Sequence, residues 1–476
     1  MQDSEIALDI QSAKRPKGGV GNYTEGALSL GGEHIDNKSG YVKMQTPKYV
    51  PMEFYEDFKK ADKGIVRKND ILLCKDGALT GKVALVRDEF KNQSVMINEH
   101  IFLLRCQNSI TQKFLFFILH SQSGQNILKS KVTGSAQGGL NLANLKDMKI
   151  PKPPLEIQTQ IVAECERIEE QYNTIRMSIE KYQELIKAIL VKCGIIANTD
   201  ESIGGGGSRD FITSLLDSIQ ELESKLDFDL LTSCINSAPC HTERELVSTN
   251  TESNPVILSE ANNPNTQSSK DISPTAQYDK PINTANLKTL LDSLPTPPKH
   301  GWEVEKIGSV LSLEYGKALQ ENKRIKGDYP VMGSNGIVGY HNEYFVESPA
   351  IIVGRKGSAG KITYIEKNCY PIDTTFYVKR KKQYNLKLLY FVLQNLNLEK
   401  MQLGIGVPGV NRNDIYTIKI PLPPIEAQEK IVNAIESVES QIAYIDSKLE
   451  ILEKRKAEVL ANALNAGNER ERTGRA

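Results

Sequence analysis

The chain repeats itself once, over a distance that only a duplicated domain explains. Ile150–Val162 reads IPKPPLEIQTQIV and Ile420–Val432 reads IPLPPIEAQEKIV. The offset is 270 residues, and eight of the thirteen positions are identical. Upstream, Gly139, Asn141 and Lys149 answer to Gly409, Asn411 and Lys419 at the same offset. A period this long excludes a solenoid and implies two copies of a whole domain. Weaker echoes lie inside each copy: DGALTGKV (Asp76–Val83) against KGSAGKI (Lys356–Ile362), and KFLFFIL (Lys113–Leu119) against KLLYFVL (Lys387–Leu393). The copies match in frame and differ in detail, as expected if both perform one task on two different targets.

After each Pro-Pro the pattern turns helical, since proline cannot continue a strand but is accepted at a helix start. Ile161, Cys165, Ile168, Tyr172, Ile175, Ile179, Tyr182, Ile186 and Ile189 form a sustained heptad seam. The same offset gives Ile431, Ile435, Val438, Ile442, Ile445, Leu449, Leu452, Lys456 and Val459, broken only by Lys456. Such a narrow stripe asks for a partner helix, and the equal lengths predict that the two seams pack on each other. About 30 residues at about 1.5 Å rise make a rod of roughly 45 Å, longer than one turn of B-DNA at about 34 Å.

The expected division is a first module over 1–150, a helix over 151–192, a middle segment over 193–298, a second module over 299–420, a second helix over 421–466 and a disordered tail over 467–476. Ile71–Leu73, Val83–Val86 and Ile101–Leu104 read as strands in the first module; Ile351–Val353, Lys361–Ile365 and Thr375–Val378 do so in the second. Phe114–Leu119 and Leu388–Leu393 read as short buried helices, so both modules are α+β. In the middle segment, Gly204–Ser208 is a flexible tract. Arg209–Leu231 follows as an acidic amphipathic helix, expected to pair with another helix or subunit. Residues 232–286 read as a disordered linker rich in Ser, Thr, Asn and Pro.

Overall charge is balanced, with 59 basic and 59 acidic residues, yet it is unevenly spread. Residues 1–150 hold 21 basic and 16 acidic side chains and 299–420 hold 18 and 11, whereas 151–298 hold 12 and 22. Two basic modules suit a polyanion. The seven cysteines form no C-x-x-C pair and no signal or membrane-spanning pattern is evident, which points to a reduced cytoplasmic protein without a metal site.

Candidate DNA contacts are the cations beside glycines: Lys75, Lys82 and Lys131 in the first module, and Arg355, Lys356 and Lys361 in the second. Glycine lets backbone amides approach phosphate, and the cations neutralise it. Asn22, Gln137 and Asn335 are loop amides able to reach adenine edges. The packing residues expected along the rods are Ile161, Ile168, Ile175 and Ile179 with Ile431, Val438, Ile445 and Leu449. Gly77–Lys82 fails the phosphate-loop pattern, the Pro-Pro pairs do not form a methylation motif, and H-E-x-x-H is absent. No catalytic residue is therefore expected. Two other readings stay open: a restriction enzyme with a cleft of its own, and a coiled-coil adaptor.

Gly134–Val162 (GSAQGGLNLANLKDMKIPKPPLEIQTQIV), Gly406–Val432 (GVPGVNRNDIYTIKIPLPPIEAQEKIV) and the opening Trp302–Lys317 (WEVEKIGSVLSLEYGK) resemble the specificity subunits of Type I restriction–modification enzymes. The resemblance implies an α+β chain with two target-recognition domains joined by two long antiparallel coiled-coil helices. It implies that each domain reads half of a bipartite site on double-stranded DNA and that the helices dock methyltransferase subunits. A nuclease/translocase subunit then joins, and S-adenosylmethionine, ATP and Mg²⁺ belong to these partners, with no cofactor on this chain. The alternative within the resemblance is the specificity part of a fused, Type IIB/IIG-like enzyme. The first module has no Trp-led opening, which implies either a shortened start or a gene fused or split relative to the family.

Overall fold

A computed structural model describes residues 8–20, 22–44, 46–106, 108–133, 138–146, 148, 150, 153–197, 208–227, 230–231, 284–396, 398–401 and 410–473. The chain divides into two compact units. The first holds residues up to Asn173, Asp227–Pro239 and the chain from Leu449; the second holds Thr174–Leu226 and Cys240–Lys448.

In the first unit a four-stranded antiparallel sheet runs in the order Leu8–Ser12, Ile101–Cys106, Ile71–Cys74, Val83–Leu85. Ile71–Cys74 is buried on both faces, which explains its unbroken apolar run. A three-stranded sheet sets Ala27–Leu30 between Tyr49–Val50, antiparallel, and Val95–Ile97, parallel. Helix Ser109–His120 starts at Asn108, whose side chain accepts from the amides of Ile110 and Thr111. Its Phe114, Phe117 and Ile118 share one core with Ile71, Leu73, Ile161, Val162, Cys165 and Leu460.

The second unit repeats this plan strand for strand. Its four-stranded antiparallel sheet runs Leu311–Tyr315, Thr375–Arg380, Ala350–Gly354, Ile362–Ile365. Its three-stranded sheet sets Tyr329–Gly333 between Gly336–His341, antiparallel, and Tyr370–Pro371, parallel. Asn385 caps helix Leu386–Asn395 as Asn108 caps its counterpart. The sequence repeat is thus a repeat of topology. The second unit adds a ribbon of Glu303–Lys306 paired with Lys419–Leu422, which carries the IPLPP segment. Trp302 anchors this opening by donating its indole N–H to the Cys193 carbonyl at 2.7 Å.

The helices after Pro-Pro run Leu155–Lys192 and Ile425–Thr473. The repeated glutamine of their first turn has a structural reason. Gln158, buried, donates its side-chain amide to the Pro153 carbonyl at 2.7 Å, and Gln428 does the same to Pro423 at 2.8 Å. Each satisfies the carbonyl of a buried proline at the entry of its helix. The second helix continues past the expected end at 466 to Thr473, because Glu469–Arg472 are helix formers and no proline intervenes.

The helices meet in both units. In the first, Ile161 and Cys165 lie in one core with Leu460, while Glu169 pairs with Lys456, so residue numbers fall along one helix as they rise along the other. That is an antiparallel pairing. In the second, Gln183, Ile186 and Leu190 line a groove with Ile442, Ala443 and Asp446. Ile161, Ile168, Ile175, Ile431, Val438 and Ile445 are buried, whereas Ile179 and Leu449 are half-buried. In the second unit Ser178 and Leu185 are buried one residue before the expected seam positions. The buried face is wider than a two-helix seam because a third helix, Ser208–Ser224, lies on this stretch in the second unit. The Tyr182 hydroxyl donates to Glu223 at 2.7 Å, and Ile212, Leu215 and Ile219 are buried. The acidic helix expected over Arg209–Leu231 therefore begins one residue earlier, ends at Ser224, and packs within its own chain. The Gly tract before it lies outside the described residues, as does nearly all of the expected linker. Helix Thr284–Asp292 occupies the end of that linker, with Leu287 and Leu291 buried one turn apart. Among the described residues no helix is long and apolar enough to cross a membrane.

Candidate nucleic-acid interface

In both modules one loop site lies where the buried strand of the four-stranded sheet ends. In the second, Gly354 begins a turn closed by Gly354 N–H to Lys361 O and Gly360 N–H to Gly354 O, both 2.8 Å. Gly357 and Gly360 take positive φ there. Ser334 donates to Thr374 O at 2.6 Å, and Lys361 donates to the side-chain and backbone oxygens of Asn335 at 2.7 and 3.0 Å. The Arg355 amide donates to Thr374 O at 2.9 Å. Its guanidinium donates through Nε and Nη2 to the Asp373 carbonyl at 3.1 and 2.6 Å. Asn335, Arg355, Lys356 and Lys361 thus come together, with Asn335 and Lys356 exposed.

Three residues join this group without a signal in the sequence. Tyr315 pairs with Phe376 across the sheet and stands 51% exposed. The Arg355 guanidinium lies 5.2 Å from the Tyr315 ring centre, and that of Arg412 lies 4.8 Å from it. Lys317 sits 4.4 Å over Phe345. These are cation–π distances. Arg412 reaches the site because Val410 N–H bonds the Arg355 carbonyl at 3.3 Å.

The first module builds the same frame. Cys74 N–H bonds Lys82 O, Gly81 N–H bonds Cys74 O, Lys75 N–H bonds His100 O, and Leu140 N–H bonds Lys75 O. Lys75 Nζ lies 5.1 Å over Phe102, as Arg355 lies 5.9 Å over Phe376. Lys75 and Lys82 therefore occupy the places of Arg355 and Lys361. The surroundings differ. Ser12, paired with Phe102, stands where Tyr315 stands, and Leu142 where Arg412 stands. Asp76 replaces Lys356 and bonds His100 Nδ1 at 2.6 Å; His100 Nε2 lies 3.3 Å from Glu99, which also pairs with Arg15. Lys131 flanks this group at the end of helix Gln122–Ser130, its carbonyl accepting from Asn144 at 3.1 Å. Asn22 lies apart, its amide 3.5 Å from Gly18 O, and Gln137 lies outside the described residues.

The buried cysteines are poor nucleophiles: burial pushes Cys74 up to about 11 and Cys165 to about 12. What the loop sites present is positive charge, amides and, in the second module, an exposed ring. That is the chemistry of nucleic-acid contact.

The family model described as Type I restriction modification DNA specificity domain matches residues 15–194 and 299–454. The chain belongs to this family. The Type I restriction enzyme MjaVIII specificity subunit of Methanocaldococcus jannaschii is 26% identical over 180 residues, 35% of this chain and 42% of that protein. The Type I restriction enzyme EcoDI specificity subunit of Escherichia coli is 26% identical over 172 residues, 34% of this chain and 38% of that protein. The matches span less than half the length of either relative. A crystal structure of a Type I restriction–modification S subunit from M. genitalium is 15% identical, covering 96% of this chain and 93% of that one with a TM-score of 0.43. Both matched segments of the specificity family include a loop site and the opening of the long helix that follows it.

Proposed function

We propose that this chain is the non-catalytic sequence-recognition subunit of a restriction–modification complex, acting on double-stranded DNA in the cytoplasm. Each module reads one half of a bipartite site. The long helices serve as spacer and as the docking surface for methyltransferase subunits, and a nuclease/translocase subunit completes the assembly. S-adenosylmethionine, ATP and Mg²⁺ act on those partners. The observation that supports this best is one loop frame, held by four corresponding backbone bonds in both modules and carrying different side chains. A shared frame suits a shared task on a duplex, and different side chains suit two different base sequences.

The test is to co-express the chain with its modification subunits and map methylated positions genome-wide. A two-part motif is expected, absent when this chain is omitted. Methylation independent of the chain, or cleavage or methylation of plasmid by the purified chain alone, would overturn the proposal.

A further inference from the structure

The two modules differ most at one point of their common frame. Arg412, Tyr315 and Arg355 form a layer in the second, where the first has Leu142, Ser12 and Lys75. The two guanidiniums of that layer are not equivalent. Arg355 is held on three sides: Nε and Nη2 converge on the Asp373 carbonyl, and its plane lies near Tyr315 and Phe376. Its coplanar donor edge is therefore committed within the protein. Arg412 makes one long bond, from Nη1 to the Leu313 carbonyl at 3.4 Å. Its Nε–Nη2 edge has no hydrogen-bond partner among the described residues. The exposed Tyr315 ring supports the guanidinium, lowering the conformational freedom lost when that edge is engaged.

A guanidinium resting 4.8 Å from a ring centre, with a coplanar pair of donors unpartnered among the described residues, matches the O6 and N7 acceptors of guanine in the major groove. We infer that Arg412, positioned by Tyr315, reads a guanine in the half-site of the second module. The inference rests on the DNA-recognition reading above and adds to it a residue and a base. The first module has no counterpart, since Leu142 and Ser12 offer neither a guanidinium nor a ring.

Arg412→Lys keeps the charge and removes the planar fork. With the complete methyltransferase assembly, the wild-type motif is mapped first and then that of R412K. Discrimination at one guanine of one half should fall by roughly 10- to 100-fold. The rest of the motif, including the whole other half, should stay unchanged and thereby report a folded chain. Tyr315→Leu should relax the same position by a smaller factor. An unaltered motif in R412K would overturn the inference. So would a weakening uniform across sequences with no base position singled out, the behaviour of a phosphate contact. A wild-type assembly that yields no two-part motif would instead defeat the recognition reading itself, before Arg412 is tested.

Discussion

The two units share a frame and hold their long helices by different means. In the first, Glu169 receives two cations: Lys456 from the second helix at 2.9 Å and Arg87 from the module at 2.8 Å. All three side chains are less than a quarter exposed. Arg87 also stacks 3.8 Å from the Tyr41 ring. In the second, Glu439, the counterpart of Glu169 at the repeat offset, receives Lys387 at 2.9 Å. Ile186 stands there at the seam position that Lys456 fills in the first. Beside Glu439 the second unit has Ile186, Tyr390 and Phe391 lining a groove in place of the second cation. One packing problem thus has an electrostatic solution in one copy and an apolar one in the other.

The contrast can be broken by experiment. Glu169→Ala leaves two mostly buried cations without a counter-charge and should destabilise the first unit by about 3 kcal/mol. Glu439→Ala leaves one and should cost about half as much. Urea denaturation of both variants measures this, and equal losses would erase the distinction. Arg355→Ala should weaken DNA binding about tenfold and Lys75→Ala about threefold, each lowering the salt slope by about 1. Fluorescence anisotropy at several salt concentrations separates them. Tyr182→Phe removes the hydroxyl that donates to half-buried Glu223 and should cost the second unit about 1 kcal/mol, read as a lower urea midpoint.

The smallest effect is one of pH. Burial, then the charge of Lys456, hold His120 below its ordinary value of 6.5. The unfolded chain takes up this proton near 6.5 and the folded chain only at lower pH. The stability so conferred is full above pH 6.5 and is lost as pH falls from there toward the folded value. His120→Gln should flatten that part of the stability–pH curve of the first unit and leave the second unit's unchanged.

What the sequence reveals and conceals follows from the range of the interactions. The repeat, the proline-marked helix starts and the buried strands are local patterns, and each reads directly. The buried run Ile71–Cys74 and the seam residues Ile161 and Ile168 need only their neighbours' spacing. The turn cations Arg355, Lys356 and Lys361 are legible because glycines flank them. Tyr315 and Arg412 are not. A tyrosine closing a strand resembles any β-residue, and an arginine opening a short helix resembles any surface cation. Only the Tyr315–Phe376 register and the Val410–Arg355 bond bring them together. The third helix on the seam is hidden likewise, although the burial of Ser178 and Leu185 marks its presence.

The lysine that interrupts the second seam has a genetic corollary. Because it is Lys456 that answers Glu169, and residue 186 of the other copy is isoleucine, the halves are not interchangeable parts. A chain made by joining two first halves end to end would set isoleucine opposite Glu169 and leave Arg87 its sole counter-ion. Such a swap should therefore cost the first unit stability, while a swap that keeps Lys456 with Glu169 should not.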